Sequence, residues 1–461
     1  MNFISEIENE VIEEENFLKN IFNRFRKRDF SGDTGQAMKN SSYQLAKNLI
    51  FKFGSLLFTI VIARMLLPER MGLYNLALAT IVLFSSFSDL GISSALITFG
   101  SKMLGNKNPE KAKGYFKKLL KWKLQLVFLI SVILLASSYF ISNLYYHKPI
   151  FYALLAGGLY LPIVSLIGFV EQSFRIDNNF KIPLFKEIIF QSSRFIIVPL
   201  AILIFLKSGL SNSKIIFVSI MALTITYLIS LLFLIICANR KLRFLKIKSD
   251  NLSKVEMHEL KKFILPLSAT AMAGMFFGYI DTLMLGRFVS SKFIAYYGAA
   301  FSLVGAASGI IGFMSVALLP IFAKKSGKAL ENIFKKARGL TLIISILAGI
   351  FTYLVSWYLV RIAYGADYLQ AVPILRWFSI IVILIPVIGI YVGYYTTQKK
   401  TKALAWLILG SAILNIILNY FGIIYGLENY GEMGAVFGAV GATITSRTLY
   451  LVGLIIFRKK Y

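Results

Sequence analysis

The chain has 461 residues, is 57% hydrophobic and carries a formal net charge of +28. Apolar runs of about 20 residues, long enough to cross a bilayer, recur from Leu45 to the C-terminus, which excludes a soluble globular domain. A positive balance of this size can signal nucleic-acid binding, but the basic residues gather in alternate loops between the apolar runs, as in membrane proteins, and no nucleic-acid partner is expected.

Residues 1–42 precede the first span. Ile4, Ile7, Val11, Leu18, Phe22 and Phe25 follow a helical period, with Glu8, Glu10, Glu13, Glu14 and Glu15 early and Arg24, Arg26, Lys27 and Arg28 late. An acidic start without an apolar core is not a signal peptide, so a cytoplasmic amphipathic helix is expected here.

Two membrane helices follow, Leu45 to Leu66 and Gly72 to about Ser101, joined by the turn Leu67-Pro68-Glu69-Arg70-Met71. Gln44, Asn48, Lys52, Ser55 and Thr59 recur at helical spacing on one face of the first helix. Lipid satisfies none of these groups, so the stripe must look toward protein or a water-filled cavity, which Lys52 makes cationic. Asp89 and Gly91 interrupt the second helix.

Further spans centre near Ile130, Leu161, Phe195 and Ile225, then Met275, Gly309, Ala348, Val382, Leu414 and Thr445, giving about twelve in all. Lysines cluster between Lys102 and Lys118, at Arg240 to Lys248, and at Lys324 to Lys336, while the intervening loops hold single charges such as Arg70, Lys148 and Lys292. Both termini are therefore expected in the cytoplasm, with the protein in the cell (cytoplasmic) membrane.

The chain repeats itself. Ala63-Arg64 followed by Gly72-Leu73-Tyr74 matches Gly286-Arg287 followed by Ala295-Tyr296-Tyr297. Phe116-Lys117-Lys118 matches Phe334-Lys335-Lys336, and Thr224-Ile225-Thr226 matches Thr443-Ile444-Thr445. Six spans per repeat is an even number, so the repeats share one orientation and enclose a cavity at their interface. The expected units are residues 43–238 and 263–461, with 239–262 as a basic cytoplasmic linker.

A charge inside a span costs about 2.5–3.5 kcal/mol unless paired or hydrated. The intramembrane set is Lys52, Asp89, Arg194, Asp281, Arg376 and Arg447, with Arg64 and Arg287 nearer the outer ends. Glu187, Gln191 and Arg194 share a face of the fifth span, and Ser411, Asn415 and Asn419 form an uncharged counterpart on the eleventh. One reading is a cavity that holds an anionic group, such as a diphosphate, by Lys52, Arg194 and Arg376 beside Asn48, with Arg447 as a further contributor. The competing reading is a set of internal ion pairs, Lys52 with Asp89 first among them, since they lie at comparable depths. Arg64 and Arg287 suit a gate or a helix-end cap. Asp281 suits either close helix packing, with Thr270, Gly274 and Phe277 on its face, or a cation-coupling site.

Catalytic chemistry finds little footing. His147 and His258 are the only histidines and Cys237 the only cysteine, so no metal set forms, and no phosphate-cradling glycine loop appears. No cofactor is expected.

The segment Ala63 to Tyr74, continuing to Ser88-Asp89-Leu90-Gly91, resembles the opening signature of polysaccharide-biosynthesis (Wzx-type) flippases of the multidrug/oligosaccharidyl-lipid/polysaccharide exporter superfamily. Tyr364-Gly365-Ala366-Asp367-Tyr368, followed by Ala371 to Arg376, is similar to that family's tenth-span signature. Leu414-Asn415 and Gly434-Ala435, leading into Ala442-Thr443, are similar to its last two spans. The resemblance covers residues 40–457. It implies an all-α, V-shaped transporter of about twelve helices in two parallel six-helix repeats, not an enzyme, that moves a polyprenyl-(di)phosphate-linked oligosaccharide to the outer leaflet by alternating access. Lys52, Arg194 and Arg376 would hold the diphosphate, and Asp89 and Asp281 would serve a coupling cation. Partners in this picture are the lipid-linked oligosaccharide, membrane lipids, a coupling cation and glycan-assembly proteins. The alternatives are a cation-coupled multidrug exporter, which needs acidic cavity residues, and an enzyme or scaffold of lipid-linked glycan assembly.

Overall fold

The computed structural model describes residues 32–324, 327–398 and 400–459. The helical period over residues 4–25 and Lys325 lie outside the described residues, and Thr270, Gly274 and Phe277 are described as backbone alone.

The described residues are helical, with no strand among them: α1 (Gly32–Phe87), α2 (Ile92–Gly105), α3 (Pro109–Tyr139), α4 (Phe151–Ile176), α5 (Lys181–Leu206), α6 (Asn212–Lys241), α7 (Lys254–Phe288), α8 (Ser291–Lys324), α9 (Gly327–Ala363), α10 (Ala371–Thr397) and α11 (Thr401–Lys459). Nine helical stretches among these residues are long and apolar enough to cross a membrane. Two of the nine are broken within. Leu67 takes φ 60° in α1, and helix resumes at once from Pro68, whose fixed φ and missing N–H suit a first helical turn. The five-residue turn read from the sequence is thus a one-residue break. Gly431, at φ 68°, breaks α11 into two limbs. Those limbs meet backbone to backbone, with Gly422 against Gly438 and Gly426 against Gly434, where no Cβ fits.

The lysines read as a loop after the second helix largely belong to α3, which begins at Pro109 behind an Asn108 cap. Its first turns carry Lys111, Lys113, Lys117 and Lys118 before the apolar run starts. Between α1 and α2, Leu90 (φ 40°) and Gly91 (φ 82°) are both left-handed. For Leu90 this costs about 1–2 kcal/mol. The break is held by Lys123, which pairs with Asp89 at 2.5 Å, and by Ser88, whose hydroxyl meets that of Ser165 at 2.6 Å.

Within the first half α4 packs on α3 and α6, and α5 on α6 and α1. Within the second, α10 packs on α8 and α9, and α11 on α7 and α10. Between the halves α1 lies along α8 and α7. One continuous apolar core joins them, from Ile62, Leu66 and Leu76 through Leu285, Ile294 and Val304 to Phe378. Gly72 of α1 meets the Ser291 backbone so closely that no side chain fits between them.

At the end marked by Leu67, four donors stitch the halves together. Arg64 donates to the carbonyls of Ala363 (2.7 Å) and Ile362 at the C-terminus of α9, and Tyr368 donates to the Ala63 carbonyl at 3.1 Å. In return Arg287 donates to the Tyr145 carbonyl at 2.6 Å, beyond α3, and Lys148 to the Gly286 carbonyl at 2.6 Å. Ala63-Arg64 and Gly286-Arg287 are the matched dipeptides of the sequence repeat, so each half caps the other in the same way. Guanidinium groups at orphan helix-end carbonyls also complement the helix dipole.

At the opposite end the basic linker, with a short helical turn at Arg243–Lys246, lies along the start of α3. Lys111 pairs with Asp250 (3.2 Å) and Glu256 (3.0 Å), and Lys113 donates to the Ile247 carbonyl at 2.6 Å. Ser253 and Glu256 form a capping box that starts α7. Leu260 of α7 then buries among Ile92, Leu96, Tyr115 and Leu119 of the first half.

Candidate functional site: polar clusters flanking the seam

Two clusters of polar side chains lie in the cores of the two halves, with Lys52 at the seam between them. In the first half Glu171 of α4 bonds Lys47 of α1 and sits 3.1 Å from Lys186 of α5. Lys186 also pairs with Glu187 at 2.9 Å, and Gln191 donates to Glu187 at 2.7 Å. Arg175 reaches Glu171 at 3.5 Å, one helical turn along α4. Two carboxylates and two lysines thus neutralise one another where lipid could not hydrate them.

Arg194 extends this cluster away from the linker end. Its guanidinium lies 4.4 Å from the Phe58 ring centre and 4.9 Å from that of Phe190, and it donates to the Ser55 hydroxyl at 3.3 Å. It is buried, at 6% exposure, and among the described residues no carboxylate lies within ion-pair distance of it. Aromatic faces and a hydroxyl hold the charge in place without cancelling it.

Ser55 is three residues from Lys52 on the α1 stripe, so the stripe brings Lys52 and Arg194 to neighbouring positions. Lys52 is exposed even though it lies within the apolar stretch of α1. It crosses toward α8 of the other half, where a Cβ at Gly309 would come within 2.9 Å of its ammonium nitrogen. Asn48, one turn toward the linker end, accepts a bond from Gln44 at 3.4 Å and is partly exposed.

The expected Lys52–Asp89 pair does not form. Asp89 takes Lys123 of α3 and the Ser93 hydroxyl instead, each at 2.5 Å. Lys123 is nearly fully buried and was missed by the sequence reading, which ended the basic segment at Lys118. Glu171 and Lys186 were also missed; a lone carboxylate inside the apolar run of α4 was the available signal for the first.

In the second half Asp281 of α7 is buried at 6% exposure. Asn419 donates to one carboxylate oxygen at 2.7 Å; Thr443, at 2.6 Å, and Tyr297 donate to the other. Asn415 reaches Thr443 at 3.4 Å and Ser446 at 3.1 Å, and among the described residues the buried amide oxygens of Asn415 and Asn419 meet no hydrogen-bond donor. Arg447 lies within electrostatic reach of Asp281. The polar face read on the eleventh span therefore joins Asp281, which the sequence treated separately. The carboxylate is thus held by neutral donors within a cluster rich in amide and hydroxyl groups.

Arg376 stands apart from both clusters. It is exposed in the second turn of α10, donates to Ser356 at 3.2 Å, lies 5.7 Å from the Tyr353 ring centre, and neighbours Trp377, itself 57% exposed. Arg64 and Arg287 belong to the stitched end.

A profile described as "Polysaccharide biosynthesis protein" matches residues 37–326. Among solved structures, the chain is similar to "Lipid II flippase MurJ, inward closed conformation", with a TM-score of 0.67 and 18% identity over 92% of this chain and 87% of that one. It is similar to an inward-facing multidrug resistance MATE family transporter of the MOP superfamily, with a TM-score of 0.62 and 14% identity over 91% and 94%. A MOP superfamily transporter from Pyrococcus furiosus, whose description reports reversed polarity of the binding pocket, has a TM-score of 0.54 and 13% identity over 94% and 96%. No curated protein matches by sequence. At these identities the likeness speaks to the fold, which is that of membrane transporters.

Proposed function

Because the chain belongs to the polysaccharide biosynthesis protein family, we propose that it is a flippase that carries a polyprenyl-(di)phosphate-linked oligosaccharide from the cytoplasmic to the outer leaflet of the cell membrane. The observation that carries this reading is Lys52: an exposed cation on a membrane helix, at the seam of two halves, backed by Arg194. One exposed and one buried cation side by side attract an anionic diphosphate and oppose a cationic drug, which disfavours the multidrug reading.

The mechanism is alternating access between two parallel repeats of six spans, twelve in all. The basic linker faces the cytoplasm by the positive-inside rule, so the end stitched by Arg64, Tyr368, Arg287 and Lys148 is the outer one, closed here. The diphosphate enters from the linker side and binds Lys52; the glycan lies along the polar stripe that includes Asn48. Outward opening breaks the five hydrogen bonds these four donors make, each worth about 0.5–1.5 kcal/mol, so bound substrate or ion can shift the balance between the two states. The Asp281 cluster takes the coupling cation, with the oxygens of Asn415 and Asn419 as further ligands.

The test is leaflet exchange of a fluorescent polyprenyl-diphosphate oligosaccharide in liposomes holding the purified protein. Exchange faster than in protein-free liposomes, and strongly reduced in a well-folded Lys52→Ala variant, is expected. Equal exchange by the variant would remove Lys52 from the site, and no exchange under any imposed ion gradient would overturn the flippase reading.

A further inference from the structure

A second feature of the inter-half boundary lies away from Lys52, on the side where α7 meets α2 and α3. A cleft of about 470 Å³ opens there between the halves. Its wall is apolar over most of its length, with Ile92, Leu126 and Leu129 from the first half and Ile264 and Leu265 from α7. Leu265 and Leu129 are 75% and 52% exposed, so the cleft opens sideways toward the surrounding lipid. Its polar groups are few: Gln125, Ser268 and Lys261.

The positive charge is confined to one end. Lys261 belongs to the basic linker segment just before the apolar run of α7, and across the cleft Lys118 sits 5.5 Å from the ring centre of Trp122, itself a wall residue. From Lys118 to Leu129 along α3 is about 16 Å of helix. The cleft therefore has a cation from each half in or beside its linker end, and beyond them a mainly apolar wall whose polar groups, Gln125 and Ser268, are uncharged. The backbone break at Leu90 and Gly91, pinned by Asp89 and Lys123, interrupts the helix beside the wall and sets Leu90 into it.

We propose that this cleft seats the first part of the polyprenyl chain of the transported lipid, with Lys118 and Lys261 steering its diphosphate at the cytoplasmic mouth. The inference rests on the flippase reading and adds a place for the tail. The charge pattern selects the occupant: an anionic head at one end, a long unbranching path into lipid at the other. The tail then touches both halves, so their rocking is felt by the chain as well as by the head group.

Trp122 provides the readout. In a Trp357→Phe, Trp377→Phe, Trp406→Phe background it is the only tryptophan, and a brominated polyprenyl diphosphate lacking any glycan quenches tryptophan on contact. Saturable quenching is expected, at a concentration at least tenfold below that of a brominated anionic phospholipid, and weakened at least threefold by Lys261→Gln. Leu126→Phe with Ile92→Phe, which narrows the cleft, is expected to abolish it and to slow leaflet exchange. Equal quenching by the phospholipid would make the cleft an ordinary lipid contact and overturn the proposal, as would absence of quenching. Because Lys261 is exposed, its variant remains informative should the double phenylalanine variant fail to fold. Quenching without any leaflet exchange would keep the cleft while removing the flippase reading; unaltered exchange in the narrowed variant would do the reverse.

Discussion

Glu171 and Asp281 are buried carboxylates in corresponding halves of the molecule, and their surroundings differ in kind. Glu171 lies between two lysines, with Arg175 at its side, and the whole group is locked by opposite charges. Asp281 is met by an amide, a threonine and a tyrosine, all neutral, with Arg447 as the nearby cation. A charge matched by fixed counter-charges has no use for a mobile one. A charge held by dipoles keeps its attraction for a cation, because dipoles orient it without neutralising it. The same helical framework thus supports a charge-matched cluster in one half and, in the other, a cluster held mainly by dipoles, which is the one proposed to respond to a cation.

The contrast can be broken at several points. The largest effect is expected from Glu171→Gln, which strands Lys47 in the core and leaves Lys186 with Glu187 alone. Removing one partner of a buried pair costs about 3–5 kcal/mol, so the variant should lose most of its monodisperse yield and melt well below the parent. A melting curve unchanged from the parent would show that the lysines find water and that the cluster is not static.

Asp281→Asn should behave in the opposite manner. The amide oxygen can still accept from a neighbouring donor, so folding is retained, but the stimulation of leaflet exchange by an imposed cation gradient should fall at least tenfold, equivalent to about 1.4 kcal/mol of coupling. Retained gradient dependence would move the coupling site elsewhere. Replacing Lys52 with Ala should leave the melting temperature nearly unchanged, since the side chain is exposed, and raise the substrate concentration for half-maximal exchange roughly tenfold. Lys52→Arg should recover most of that loss if charge is what matters. A smaller effect is expected from the double variant Arg64→Ala and Arg287→Ala. Loss of three inter-half hydrogen bonds of about 0.5–1.5 kcal/mol each should increase the outward-open fraction, read as greater labelling of a cysteine placed at the buried Ser291, which faces Gly72 across the seam. Labelling equal to the parent would assign closure to apolar packing alone.

Much of the fold was legible because helical periodicity, span length and loop charge are local properties. Membership in a helical transporter fold followed from them and from the signature around Arg64 and Gly72. The polar stripe of α1 and the shared face of Glu187, Gln191 and Arg194 were legible for the same reason: residues three and four apart on one helix meet wherever that helix goes. Pairings between helices were not. Asp89 was matched to Lys52 by depth, whereas the break at Leu90 turns it toward Lys123, 34 residues away on α3. Depth fixes one coordinate and the rotation of each helix fixes another, which a single sequence does not supply. Arg376 shows the same gap, since its position in a signature segment gave no hint that it would lie beside exposed Trp377.

The glycine contacts within α11 have a mechanical consequence. With Gly422 on Gly438 and Gly426 on Gly434, the two limbs lie backbone against backbone with no side chain between them, which favours their moving as one strut. Asn419 rides on the first limb and Thr443 on the second, so a strut that moves as one holds the jaw width between them. Asp281 arrives from a different helix. A change in its grip then appears as travel of α7 against the strut, which turns a bond-length event at one carboxylate into displacement along a helix that also borders the seam.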